Sequence, residues 1–180
     1  MPAFTVIDHT EIGAGGATSW SATSIPSSYD HLCLKISARS DNVSYYAPCA
    51  LQFGNGSVDT GTNYSATWLY TVTSTPASWR HSGSTSFEYM YANGASSLAD
   101  TFSSFNLWIP NYANTANFKQ GVVQLAIENA STTDSQWDLI NAGLLWSSTS
   151  AIDTISYANY SVSDDFVQYS TFTLYGVTGA

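Results

Sequence analysis

Apolar and polar residues alternate one for one along most of this chain, and that period of two constrains the fold more than anything else in it. Leu32, Leu34, Ile36 and Ala38 alternate with His31, Cys33, Lys35, Ser37 and Arg39. Successive side chains of a strand point to opposite faces, so such a segment buries one face and wets the other. Cys49, Leu51 and Phe53 repeat the pattern. So do Phe105, Leu107 and Ile109, then Val123, Leu125 and Ile127, then Phe172, Leu174 and Gly176. Phe4 to Ile7, Thr18 to Ala22, Tyr64 to Val72, Thr85 to Tyr91, Trp137 to Trp146 and Ile152 to Tyr160 read as further strands. No window carries a sustained 3.6-residue apolar stripe with caps.

Turn clusters separate these segments. Gly13-Ala14-Gly15-Gly16, Ser24-Ile25-Pro26-Ser27, Gly54-Asn55-Gly56, Ala92-Asn93-Gly94 and Ser163-Asp164-Asp165 are the clearest, and Asn93-Gly94 is a hairpin-type dipeptide. The Ser/Thr/Gly-rich stretches 73–84 and 93–103 read as surface loops, the second with a short helical turn near Ser96 to Phe102. With 180 residues and no linker, internal repeat or charge run, one domain is expected over 1–180. The expected fold is an all-β, jelly-roll-like antiparallel sandwich of about 8–11 strands.

Composition explains the absence of helices. Charged residues are only 9% of the chain, against roughly 25% in ordinary globular proteins. Polarity comes instead from Ser, Thr, Asn and Gly, which favour strands and turns over helix interiors. At 44% hydrophobic residues the chain is not of the disordered class. Its only cations are Lys35, Arg39, Arg80 and Lys119, and the net charge is −9. That balance argues against nucleic acid, which needs a cationic footprint, and against anionic membrane surfaces. No apolar run approaches the ~20 residues of a membrane-spanning helix. Met1-Pro2-Ala3-Phe4 lacks a basic region followed by an apolar one, so no secretion signal is expected. Synthesis in a cytoplasm is the expectation. Cys33 and Cys49 read as lying on neighbouring strands. Two buried thiols are expected, with a disulfide as the alternative and no zinc spacing.

Catalytic patterns are lacking. Asp8-His9 and Asp30-His31 are sequence neighbours, which strand geometry sends to opposite faces. The Gly54-Asn55-Gly56-Ser57-Val58 run lacks the final glycine of a nucleophile elbow. No enzyme activity, cofactor or phosphate-binding motif is expected. Asn55, Ser57 and Asp59 place oxygen donors at alternating positions in a Gly-rich loop, a weak candidate for calcium, and Asp164-Asp165 is a second acidic turn. Asn42, Asn55, Asn63, Asn129 and Asn159 head N-x-S/T triplets, which chance supplies in a chain rich in Asn, Ser and Thr. The aromatics are the most suggestive group. Tyr45, Tyr46, Trp68, Tyr70 and Trp79 are the candidates for a contact or ligand surface, since Tyr and Trp are enriched at interfaces. Core and cross-strand packing is the alternative for each.

Ordered motifs along the chain resemble a family of small virion proteins of tailed bacteriophages. Ser24-Ile25-Pro26-Ser27-Ser28-Tyr29-Asp30-His31-Leu32, running into Arg39-Ser40-Asp41, is similar to the family's SIP-x-x-Y-x-x-L entry into a strand. Leu51-Gln52-Phe53-Gly54-Asn55-Gly56, with Asn63-Tyr64-Ser65, resembles its NYS hairpin. Ile109-Pro110-Asn111-Tyr112-Ala113-Asn114-Thr115, followed by Phe118-Lys119, resembles its YANT turn, with Asn111 where Asp is commoner. Trp146, Ala151 to Ile155 and Phe172 to Val177 resemble its closing LYG segment.

The resemblance implies a virion component, made in a bacterial host's cytoplasm, and carries no catalytic residues. A capsid decoration (cement) protein is the first expectation, and a tail-fibre or receptor-binding module contacting host glycan is the alternative. Expected partners are the major capsid protein or other virion proteins, together with a homo-oligomer, trimer first, because so few Lys or Glu guard the sheet edges. Pro26, Tyr29, Arg39, Asn111, Tyr112 and Asn114 read as fold-keeping. Pro26 fixes a strand entry, and Tyr29 is expected to anchor that corner through its hydroxyl. Arg39 is expected to pair with Asp41 or another acidic neighbour. Asn111 suits a left-handed backbone.

Overall fold

The alternating segments assemble into two antiparallel sheets in a computed structural model, which describes residues 3–72, 75–128 and 137–179. The strands are β1 (Ala3–Glu11), β2 (Ser19–Ala22), β3 (His31–Ala38), β4 (Tyr46–Asn55), β5 (Ser57–Val58), β6 (Tyr64–Val72) and β7 (Thr75–Ser84). There follow β8 (Phe87–Asn93), β9 (Ser103–Pro110), β10 (Lys119–Ala126), β11 (Trp137–Trp146), β12 (Thr154–Asn159) and β13 (Thr171–Thr178). The larger sheet has eight strands in the order β1-β13-β3-β9-β10-β11-β6-β7. The smaller runs β2-β12-β4, with β5 and β8 both pairing β4. The all-β sandwich read from the sequence is the observed fold.

Each sheet turns its apolar side inward. Leu32, Leu34, Ile36, Leu51, Phe53, Phe105, Leu107, Val123, Leu125, Phe172 and Leu174 are all buried, at the alternating positions the sequence marked. Aromatic pairs join the layers. Trp20 of β2 stacks on Phe172 of β13 with centroids 5.5 Å apart, and Phe105 of β9 meets Tyr157 of β12 at 5.5 Å. Phe53 of β4 meets Trp146 of β11 at 6.1 Å. Each such ring removes a large apolar area from water, at roughly 25 cal/mol per Å².

Several expectations are corrected. The stretch 75–84, read as loop, is a ten-residue edge strand paired with β6; Thr73 and Ser74 of that stretch, with Met1, Pro2 and Asn129, lie outside the described residues. Being an edge strand, β7 buries little and so shows no apolar alternation. Residues 94–102 form turns without a helix. Asn93-Gly94 makes no hairpin, because β8 belongs to the smaller sheet and β9 to the larger, and the chain crosses between them. A Cβ at Gly94 would fall 2.2 Å from the Ser44 carbonyl oxygen, which explains the glycine. Gly54-Asn55-Gly56 is the true hairpin, joining β4 to β5 with Gly56 at φ +75°.

Cys33 and Cys49 are buried free thiols on different sheets rather than on neighbouring strands. Burial pushes the Cys49 thiol up to about 12, and it raises that of Cys33 as well.

Candidate interaction surface

Among the described residues the smaller sheet covers one face of the larger, and nothing covers the other. Cross-strand register places Val6, Tyr175, Cys33, Trp108, Val122, Gly143, Thr67 and Arg80 in one line across all eight strands. The next line runs His9, Thr173, Lys35, Asn106, Gln124, Asn141, Leu69 and Ser78. These are the outward positions, opposite the buried ones. On this face Phe4, Val6, Leu69, Val122 and Leu139 are between 49 and 63% exposed. Phe4 lies against Trp108 and Tyr175, with centroids 6.5 and 5.9 Å away, and His31 packs on Trp108 at 5.1 Å. Together these rings roof Cys33.

Beside this cluster a shallow groove of about 370 Å³ opens between Trp108 and Arg80, lined also by Thr67, Gln120, Val122 and Leu145. Its floor is bare because Gly143 carries no side chain and nothing lies within 4 Å of where one would start. An alternating strand that spares an outward position in this way leaves a dent in an otherwise flat face.

The candidate aromatics separate into two places. At the β7 end the larger sheet outreaches the smaller, and Trp68, Tyr70 and Trp79 gather there with Tyr46 nearby. Trp79 stacks on Trp68 at 5.0 Å and on His81 at 5.4 Å, and meets Tyr89 edge-on at 4.8 Å. Tyr46 meets Tyr91 edge-on at 5.0 Å. Trp68 is buried, whereas Trp79 is 37% exposed. Tyr89 has φ +63°, a left-handed backbone at the irregularity where β8 loses register with β4, and this aims its ring at Trp79. Tyr45 stands apart, exposed in the loop before β4. His81 was not among the sequence candidates for this surface; only the β7 strand, itself unread, could have brought it in.

His81, Glu88 and Ser84 meet beside this cluster, but not in the order of a catalytic triad. His81 Nδ1 lies 3.9 Å from Glu88 Oε2, and Ser84 donates to the other oxygen of Glu88 at 3.1 Å. The acid therefore sits between the hydroxyl and the imidazole, an order that leaves the hydroxyl without a base. As expected, Asp8 and His9 part company: Asp8 accepts from Trp20 Nε1 at 3.0 Å, and His9 reaches Thr173 at 2.8 Å.

At the weak calcium candidate, Asp59 accepts from the Gly61 amide (2.8 Å), Asn63 Nδ2 (2.9 Å) and Trp146 Nε1 (2.7 Å). Burial alone would raise this carboxyl, but the three donors outweigh it and hold its pKa below the ordinary value. Asn55 donates to the Ala151 carbonyl, and Ser57 is exposed. No group of three His, Cys, Asp or Glu side chains able to hold a metal occurs among the described residues. The donors around Asp59 are those of a loop tie.

The fold-keeping residues act in altered roles. Arg39 turns away from Asp41 and donates five hydrogen bonds into the 95–101 loop, to the carbonyls of Ala95, Ser97, Leu98 and Thr101 and to the Thr101 hydroxyl. Its planar fork matches several acceptors at once, which the dispersed carbonyls of a loop provide. The Tyr29 ring, not its hydroxyl, anchors the strand entry by lying on Gly176, where a Cβ would come within 2.3 Å of it. The hydroxyl that ties this corner belongs to Tyr112, which is buried and donates to the Pro26 carbonyl. Asn111 adopts φ +50°, the left-handed backbone expected of it, and Asn114 accepts from the amides of Ala116 and Asn117. Lys119 is 2% exposed and donates to the carbonyls of Asn117 and Thr149, with burial lowering its pKa.

No family model and no curated protein matches the chain. Among solved structures, a fructofuranosidase from Schwanniomyces occidentalis complexed with fructosylnystose is similar over 98% of this chain, at 9% identity and a TM-score of 0.25. The chain spans 34% of that protein's length. No described helix is long and apolar enough to cross a membrane.

Proposed function

We propose that this chain is a virion structural protein of a tailed bacteriophage, a capsid-decorating protein that stabilises the head through protein–protein contacts. The observation that carries the reading is the bare outer face of the eight-stranded sheet, with its exposed Phe4, Val6, Leu69, Val122 and Leu139. Large apolar side chains gathered on one exposed face of a folded domain point to a contact site. The resemblance of the chain's ordered motifs to those of small phage virion proteins suggests the setting.

Strand order supports a jelly roll as the finer description. Four strands of the larger sheet, β1-β13-β3-β9, face β2-β12-β4-β8, the interleaving of two Greek keys. The remaining strands β10, β11, β6 and β7 widen one sheet and enlarge its outer face. Homo-oligomerisation, trimer first, belongs to the same proposal. The sheet edges bear on it: β1 is irregular between Val6 and Asp8, and β7 carries Pro76 and Arg80. Such devices discourage edge pairing, so side-chain contacts rather than edge-strand hydrogen bonds would join the copies.

Quantitative mass spectrometry of purified particles tests the reading. A decorating protein is present in a fixed, high ratio to the major capsid protein; a few copies per particle would refute it. A tail-fibre module contacting host-surface glycan is the second reading, favoured by the part-exposed Trp79. Host-glycan arrays discriminate, with binding lost in Trp79→Ala only if this second reading holds.

A further inference from the structure

We infer that the outer face of the eight-stranded sheet docks on a different virion protein, one that presents carboxylates to Lys35 and Arg80. This rests on the capsid-decoration reading and names the surface and the chemistry of its partner.

Charge supports the choice. The chain has four cations against thirteen carboxylates. Arg39 is spent within the fold, on the 95–101 loop, and Lys119 is buried against carbonyls. The remaining two, Lys35 and Arg80, are both exposed on this one face. The strands β13, β3, β9, β10, β6 and β7 carry no Asp or Glu at all. Of the carboxylates on β1, Asp8 accepts from Trp20, and Glu11, paired with Thr171 at the end of that edge strand, is exposed on this face. Among the described side chains the outward positions thus carry Lys35 and Arg80 against Glu11 alone, an excess of cations on a chain of net charge −9.

Dimensions fit as well. Eight strands about 4.8 Å apart, each roughly eight residues long, make a face of about 900 Å². A stable complex buries about 800 Å² on each partner. Lys35 and Arg80 lie five strands apart, or about 24 Å, and between them run Trp108, Val122 and the Gly143 dent. That is an apolar centre with charge at its margin, in which the dent accepts a projecting side chain. Two copies joined through this face would set one cationic surface against another, so carboxylates on another protein suit the face better than a second copy, and a homo-oligomer would form through other surfaces.

The chain has two lysines, and Lys119 is buried. Zero-length carbodiimide coupling, which joins an amine to a carboxylate in contact with it, can therefore report on Lys35 alone among the lysines. Washed particles carrying the full chain are treated, digested and sequenced by mass spectrometry, with acylation of Lys35 measured in parallel on free chain and on particles. The expected result is a link from Lys35 to an Asp or Glu of another virion protein, and loss of Lys35 acylation on the particle. Arg80→Glu should weaken attachment at least about tenfold, and Arg80→Lys, which keeps the charge, should restore most of it. Absence of the chain from washed particles overturns both the reading and the inference. Presence with Lys35 as reactive as in free chain, or linked to a second copy, overturns the inference alone.

Discussion

The indole Nε1 of Trp146 donates to Asp59 Oδ2 at 2.7 Å, and this bond ties the loop between β5 and β6 to β11 of the larger sheet. Tyr64 completes the tie, its hydroxyl lying within hydrogen-bond distance of the Phe53 and Asp59 carbonyls at 2.9 and 2.8 Å. Asp59→Ala should cost about 1–3 kcal/mol, because the Trp146 N–H loses its acceptor in a largely buried place. The effect should depend on pH. Folding lowers this carboxyl's pKa, so its stabilisation is complete above the ordinary carboxylate value of about 3.9 and fades as pH falls through the lower folded value. Denaturant titrations from neutral to acid pH should show the wild type losing stability on that limb and Asp59→Asn losing less.

Arg39 supports a different loop. Arg39→Lys keeps the charge but cannot reach the five acceptors spread over Ala95 to Thr101. A loss of about 1.5–3 kcal/mol is expected. Hydrogen exchange should speed up first at residues 95–101 while β3 and β9 remain protected.

Gly176 and Tyr29 are a packed pair. A Cβ at 176 would lie 2.3 Å from the Tyr29 ring, so Gly176→Ala should cost about 1–3 kcal/mol through overpacking. Adding Tyr29→Ala should recover part of that loss, a coupling that a double-mutant cycle measures. Additive losses would show that the ring is not what excludes a side chain there.

The two thiols should be silent in the native chain. Cys49 is fully buried with its pKa pushed up to about 12, and Cys33 lies beneath Phe4, Trp108 and Tyr175. A thiol reagent at pH 8 should react with both only after unfolding. Phe4→Ala should expose Cys33 selectively and leave Cys49 protected.

The larger elements were legible because burial imposes alternation. Where a strand has one face in the core, as at Leu32 to Ala38, the period of two is written plainly. It fades at β7, which hangs past the smaller sheet as an edge and has no core face to mark. Asn93-Gly94 misled for a related reason: its dipeptide chemistry suits a turn, but whether a turn joins neighbours or crosses between sheets is decided by strands far away in sequence. Arg39 and Tyr29 have other partners than the sequence suggested, since carbonyls and a glycine face leave no charge pattern to find. Of the candidate surface, Trp68, Tyr70 and Trp79 were visible as aromatics. The face bearing Lys35, Trp108 and Arg80 was not, because it exists only once register aligns eight strands.

A reconstructed map of the purified virion tests the account most directly. The expected result is this domain at regular positions over the capsid, with the outer face carrying Phe4, Trp108, Val122 and Arg80 turned onto a neighbouring virion protein. A domain confined to the tail tip, or seated on the capsid with that face open to solvent, would contradict it.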